Sequence, residues 1–184
     1  GEVLPTGSLR RTAGGAIQEL PGFEAGEWWV QDAAAALPVR LLGEVSGREV
    51  LDLCAAPGGK TAQLAASGAR VTAIDNAPKR LALLRSNLER LNLQAETIVS
   101  DILSWRPAKP FDFILLDAPC SATGTIRRHP DIWHLRTPGD VARAALLQDQ
   151  LLRAAMEMLA PGGTLIYITC SLQPEECEQR IEAF

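Results

Sequence analysis

Short apolar runs punctuate the chain, and longer amphipathic stretches separate them. Val50, Leu51 and Leu53 make the first compact run, with Asp52 set among them to face the loop that follows. Arg70–Asp75, Glu96–Ser100, Phe111–Leu116 and Thr164–Thr169 are the next four. Runs this short, rich in Val, Ile and Leu, predict strands buried on both faces. Between them Thr61–Ser67 reads as a short helix ended by Gly68. A second helix carries Leu81, Leu84, Leu88 and Leu91 at helical spacing, with Asn76 as its cap. Thr137 caps a long helix that Pro138 opens, Asp140 sits at the capping-box position, and Leu147, Leu151, Ala154 and Met158 form its buried stripe. Pro161-Gly162-Gly163 stops that helix, and Pro174 opens the last one. Strands alternating with helices predict an α/β fold, a mostly parallel sheet with right-handed crossovers and helices on both faces.

Ahead of the first strand the pattern weakens. Residues 1–28 are rich in Gly and Pro, and the fragments around Leu9, Ile17 and Leu20 suit a small hairpin or an irregular lead-in. Arg10 and Arg11 read as a solvated pair. Ala33–Leu42 is an Ala- and Leu-rich helix that Pro38 must kink or split. The chain therefore divides into a lead-in, residues 1–28, and one domain, residues 29–184. It opens on Gly1 and stops at Phe184 just after a helical segment, as a piece of a longer protein would.

Composition narrows the function. At 184 residues and 47% hydrophobic content the chain can bury a substantial core. No run is long and apolar enough for a bilayer, and the expected location is the cytoplasm. Cys54, Cys120, Cys170 and Cys177 contain no C-x-x-C pair and only two histidines accompany them, which argues against a metal site and a disulfide frame. The formal net charge of −4 gives no general attraction for nucleic acid, so such a partner would need a local patch.

Chemistry concentrates after the first strand, in Cys54-Ala55-Ala56-Pro57-Gly58-Gly59-Lys60. Small residues there let a ligand approach the backbone, and amide N–H groups can turn towards it as the next helix starts. Gly59-Lys60-Thr61 looks like the end of an ATP-binding loop, but Cys54 stands where the first Gly belongs, and Pro57 removes an amide from the cradle. No Gly-x-Gly-x-x-Gly occurs, which disfavours a dinucleotide. Asp75, at the second strand's tip, is placed for a ribose, and Asp101, after the third, for the amino group of a base; singly, each is equally well a turn acid. S-adenosylmethionine fits this pocket, with Lys60 on its carboxylate or on an acceptor base. Cys120 and Cys170 directly follow the fourth and fifth strands. If those strands are neighbours, both thiols open on one cleft and suggest covalent chemistry, whereas Cys54 and Cys177 read as small core residues.

Three motifs together are specific. Asp52-Leu-Cys-Ala-Ala-Pro-Gly-Gly-Lys-Thr61, Asp117-Ala-Pro-Cys-Ser-Ala-Thr-Gly124 and Thr169-Cys-Ser171 with Pro174-Glu-Glu176 resemble the signature of RNA cytosine carbon-5 methyltransferases. Leu20-Pro-Gly-Phe23 and Val30-Gln-Asp-Ala-Ala34 resemble the lead-in of the bacterial Fmu/Sun (RsmB-like) type, which modifies small-subunit (16S) ribosomal RNA. The similarity runs from about residue 20 to the end.

That resemblance implies a Rossmann-like S-adenosylmethionine-dependent methyltransferase fold, with residues 29–184 as a C-terminally truncated catalytic domain lacking its last strands. It also implies a separate N-terminal RNA-binding domain. Cys170 would add to carbon 6 of cytosine, making carbon 5 nucleophilic enough to take the methyl group, and Cys120 would help release the product. Asp117 would hold the cytosine edge near ring nitrogen 3 and touch the cofactor. Cys54 to Lys60 would line the cofactor by backbone contacts, with Asp75 and Asp101 on its ribose and adenine. Arg127, Arg128, His129 and Arg136 are candidates to guide RNA, or a solvated loop, and the target base must leave its stack. Ala122 stands where the family usually has Gly. Alternatives are a transfer RNA substrate, a DNA-type enzyme attacking through the Pro-Cys thiol, and a cofactor-binding RNA module without catalysis.

Overall fold

Alternation within each strand decides which layer every side chain joins. In the computed structural model, which describes residues 1–184, the first strand of the main sheet is β3 (Glu49–Leu53). An antiparallel ribbon of β1 (Glu2–Val3) and β2 (Leu9–Arg10) precedes it. Leu51 and Leu53 face one side of the sheet, and Val50 and Asp52 face the other. The main sheet also contains β4 (Arg70–Asp75), β5 (Glu96–Val99), β6 (Phe111–Asp117) and β7 (Leu159–Ile168). All neighbours are parallel, in the order β5-β4-β3-β6-β7.

On one side, Val50, Val71 and Leu115 pack with Val39 and Leu42 and with Leu64 of α2 (Gly59–Ala66). Val39 belongs to α1 (Leu37–Leu41). Ala73 continues this layer against Leu81, Leu84 and Leu88 of α3 (Pro78–Arg90) and the following Leu91. On the opposite side, Leu51, Leu53, Ile74, Ile114 and Leu116 meet Leu151, Leu152, Ala155 and Met158 of α5 (Pro138–Met158), which the one-turn α4 (Ile132–Leu135) precedes. Each such fully buried Leu or Ile contributes about 1.5–3 kcal/mol. The sheet is thus covered on both faces, as its continuous apolar strands predict.

Several elements differ from the sequence reading in instructive ways. The expected helix over Ala33–Leu42 is split, a 3-10 turn at Ala34–Ala36 giving way to α1, with Pro38 in the first turn of α1 where its missing N–H costs no hydrogen bond. Asn76 does not cap α3: the cap position is Ala77, whose N–H donates to Asp75 Oδ1 at 2.9 Å, and Pro78 starts the helix. Thr137 and Asp140 form the expected capping box on α5. Its buried stripe differs, because Leu147 is 37% exposed and Gln148 is fully buried. Gln148, not Leu147, lies in the row of Leu151, Leu152, Ala155 and Met158, and its amide finds hydrogen-bond partners there. Pro161-Gly162-Gly163 lies within β7, since α5 already ends at Met158 and the β6–β7 pairing absorbs a register shift between Phe111 and Phe113.

The lead-in packs against the domain. A 3-10 turn at Ile17–Glu19 follows the ribbon. The Arg90 guanidinium then stacks 4.0 Å from the Phe23 ring centre and donates to the carbonyls of Phe23 at 2.6 Å and Trp28 at 3.2 Å. After β7 come a 3-10 turn at Pro174–Glu176 and the short α6 (Glu178–Glu182), so Pro174 opens a turn ahead of the helix. No helix is long and apolar enough to cross a membrane.

Candidate active site

Strand order reverses at β3 and β6: the chain builds outward from β3 through β4 to β5, then returns to β3's other side. Ligands of open parallel sheets bind at the carboxyl ends beside such a reversal. The two loops that flank it are Cys54–Gly58 after β3 and Ala118–Thr123 after β6. β7 adds a third, Thr169–Gln173.

The first loop is drawn tight by protein contacts. Ala55 donates to the Ile74 carbonyl at 3.0 Å, Ala56 to Asp75 Oδ2 at 3.1 Å, and Gly58 to the Ala55 carbonyl at 2.9 Å. Arg80 holds the Ala56 carbonyl, and Asn87 donates to that of Pro57 at 3.2 Å. The amides of Ala55, Ala56 and Gly58 are therefore engaged, and the N–H groups available to a ligand are those opening α2, from Gly59 onward. Gly58 has φ +101°, and a Cβ there would lie 2.6 Å from Leu84 Cγ, so the tight passage against α3 requires glycine. Pro57 is exposed and Cys54 is half-buried in a left-handed conformation. Asp75 is 2% exposed, and its two oxygens brace the loop and the start of α3. Asp101 stands beyond β5, exposed, accepting from the Leu103 N–H at 3.0 Å.

Beneath the loop, Asp52 is fully buried and takes the Thr61 hydroxyl at 2.6 Å, while its Oδ1 has no partner. Burial pushes its carboxyl up to about 7, against the pull of the Thr61 hydrogen bond, and the neighbouring Asp117 adds to the rise. Lys60 reaches across the reversal to Asp117, Nζ to Oδ2 at 2.7 Å. This bridge ties the glycine loop to the Asp-Pro-Cys loop.

Because β6 and β7 are parallel neighbours with Asp117 opposite Ile168, the residues after them emerge side by side. Cys120 Sγ and Cys170 Sγ lie 3.4 Å apart, Cys170 exposed and Cys120 half-buried. Their hydrogen bond pulls the Cys120 thiol down to about 6 and pushes Cys170 up. A single proton shared by two such side chains makes the easy first ionisation a property of the pair. Gly124 donates to the Cys170 carbonyl at 2.9 Å, and a Cβ on Gly124 would sit 2.7 Å from that oxygen. Cys54 and Cys177 stand apart: burial pushes Cys54 up to about 12, and Cys177 donates to the Ser171 carbonyl at 3.3 Å.

The structure thus gathers Lys60, Asp117, Cys120 and Cys170 at the reversal, with Asp75 behind the glycine loop and Asp101 two strands out. Of the basic group, Arg128 and Arg127 approach Asp32 at 3.5 and 3.9 Å, Arg136 donates to the Ser121 carbonyl at 3.0 Å, and His129 is exposed. The sequence motifs assign no role to Gln31, which donates to Gln63 at 3.1 Å and lies 3.8 Å from where a Gly59 Cβ would be, or to Asp32, which faces Arg127 and Arg128. They also assign none to Ser121, Gln148, Ser171 or Glu176, buried together beside the cysteines. The signal available for these was the adjacency of serine to each cysteine and the Pro174-Glu-Glu176 motif.

A family model described as 16S rRNA methyltransferase RsmB/F matches residues 39–184. The ribosomal RNA small subunit methyltransferase B of Sodalis glossinidius is 51% identical over 173 residues, 91% of this chain and 40% of that protein. The chain therefore spans about two fifths of that relative's length. Among solved structures, NSun6 from Pyrococcus horikoshii with SFG matches with a TM-score of 0.84 and 31% identity, over 92% of this chain and 44% of that one. A methyltransferase homologue from the same organism matches with a TM-score of 0.78 and 37% identity, over 91% and 54%.

Proposed function

Since the chain belongs to the RsmB/F family of 16S rRNA methyltransferases, we propose that it is the methyl-transferring part of an S-adenosylmethionine-dependent enzyme that forms 5-methylcytosine in small-subunit ribosomal RNA through a covalent cysteine adduct. The observation that carries this reading is the pair of sulfurs 3.4 Å apart beside Asp117 at the strand-order reversal. Ribosomal RNA is favoured over transfer RNA by the relatives at about half identity.

The residues present suit the methyl donor. Ala55, Ala56 and Gly58 keep side chains out of the passage, and the start of α2 offers free N–H groups. Lys60 carries the cation that a carboxylate would meet, the exposed Asp101 would accept from adenine, and Asp75 would meet the ribose through the lone pairs left beside its bonds to the Ala56 and Ala77 amides. When bound, this cofactor supplies an electrophilic methyl group.

Carbon 5 of cytosine needs activation before it can take that methyl group. As the Cys170 sulfur bonds to carbon 6 its thiol proton passes to ring nitrogen 3, and the ring's electrons shift towards carbon 5. Asp117, kept in place by Lys60, accepts the hydrogen bond of that N3–H and so holds the cytosine edge. Carbon 5 would then take the methyl group that the bound cofactor supplies, the donor leaving as its neutral thioether. Cys120, pulled down to about 6 and therefore able to stand as a thiolate at neutral pH, takes the proton from carbon 5. The carbon 6–sulfur bond then breaks as carbons 5 and 6 regain their double bond, and the departing Cys170 takes its proton back from ring nitrogen 3.

A second reading, attack by Cys120, is favoured by that same low ionisation; the exposure of Cys170 favours the first. The full-length protein with its RNA and methyl donor separates them. Cys170→Ala is expected to abolish methylation and adducts, and Cys120→Ala to leave a protein–RNA adduct that survives denaturing electrophoresis. The reverse pattern would assign attack to Cys120. Absence of an adduct in both variants would overturn the covalent mechanism.

A further inference from the structure

Glu176 is fully buried in the 3-10 turn after β7, and none of the protein's cations lies within ion-pairing distance of it. Its Oε1 accepts the Ser121 N–H at 2.8 Å and the Gln148 side-chain amide at 3.2 Å. Its Oε2 accepts the hydroxyls of Ser171, at 2.5 Å, and Ser121. The two serine hydroxyls also lie 3.1 Å apart. Gln148 in turn donates to the Pro119 carbonyl at 2.9 Å, and Tyr167 donates to the Glu176 carbonyl at 2.8 Å.

Ser121 directly follows Cys120, and Ser171 directly follows Cys170. One carboxylate therefore grips both sulfur-bearing loops one residue beyond their thiols. Its bonds include none to either sulfur and none to the glycine loop. A buried anion with no counter-ion is expensive, and a well-packed apolar group would serve stability as well or better. What a carboxylate adds is geometry: several acceptor sites at fixed spacing, each forming a short, charge-assisted bond.

We propose that Glu176 is a positioning residue for methyl transfer, holding the β6 and β7 loops in register so that the two sulfurs stay within reach of each other and of one substrate. This rests on the reading of the cysteines as the reactive pair, but the distance between them can be probed without RNA or methyl donor. In an aromatic disulfide reagent such as dithionitrobenzoate, one cysteine thiolate attacks the reagent and releases one thionitrobenzoate. The second thiolate then attacks the protein sulfur of that mixed disulfide, forming the Cys120–Cys170 bond and releasing another. The closing rate reports how often the sulfurs meet.

Peptide mapping of quenched samples of the full-length protein gives that rate. Glu176→Gln is expected to slow closure by about tenfold or more, the factor a charge-assisted hydrogen bond is worth, while the exposed Glu175→Gln leaves it unchanged. Closure at the wild-type rate in folded Glu176→Gln would overturn the proposal. Should that variant fail to melt cooperatively, Ser121→Ala and Ser171→Ala, each removing a hydroxyl, are expected to slow closure several-fold, and wild-type rates in both would overturn it. In turnover, Glu176→Gln should lower kcat while KM for the methyl donor holds; a change confined to KM would count against it. Slowed closure in a protein that methylates no cytosine would sink the functional reading and spare the clamp. Normal closure in an enzyme that forms the adduct would do the opposite.

Discussion

Ala122 adopts φ +60°, a left-handed conformation that costs a residue with a Cβ roughly 1–2 kcal/mol. Replacing it by Gly removes this strain but loosens the unfolded chain, so Ala122→Gly is expected to stabilise the protein by a net ~0.5–1 kcal/mol in urea unfolding. Asp52 makes the opposite kind of demand. Its folded-state carboxyl lies at about 7, above the unfolded value, so its contribution is complete below about pH 4 and is lost as pH rises through 7. Asp52→Asn cannot ionise and should gain on the wild type by about 2.5 kcal/mol between pH 5 and pH 8, read by urea unfolding at both. Both residues stood in recognised motifs, yet neither property was legible there: a backbone angle and a burial are set by what surrounds the residue.

Helix α5 separates what periodicity reveals from what it leaves out. Thr137, Pro138 and Asp140 announced its start because capping is local chemistry. The buried row was misassigned by one residue at its N-terminal end, where Leu147 looked the natural core member and Gln148 holds the place. Gln148 is inside because Pro119 and Glu176, remote in sequence, receive its amide. Deeper in the same row Leu152 is 1% exposed, in the apolar cluster that Leu53, Ile114 and Leu116 also join. Leu152→Ala should cost about 2–5 kcal/mol by chemical denaturation, through lost burial and a cavity that α5, pinned at both ends, cannot close.

Across the five strands, the crossover pattern brings together groups more than a hundred residues apart in sequence, Lys60 and Cys170 among them. The same pattern leaves the lead-in to be held by side chains, chiefly Arg90 on Phe23 and Trp28. Arg90→Ala is expected to speed limited chymotryptic cleavage at Phe23 by about tenfold, since a cation–π contact and two hydrogen bonds to carbonyls are lost, with the domain's own unfolding little changed. Equal cleavage rates would mean that the ribbon and Trp28 hold the segment without Arg90.

Strand and helix identities, the parallel sheet and the motif residues could all be read along the chain, because apolar spacing, caps and glycine turns act over a few residues. Strand adjacency could be stated only as a condition, that β6 and β7 lie side by side; their pairing satisfies it and sets the sulfurs 3.4 Å apart. The buried Glu176 clamp, the Lys60–Asp117 bridge and the bracing of the glycine loop by Asp75 lay beyond such reading. Each joins groups from separate crossovers, and a hydrogen bond between distant segments exists only once packing has removed the water that would otherwise satisfy both groups.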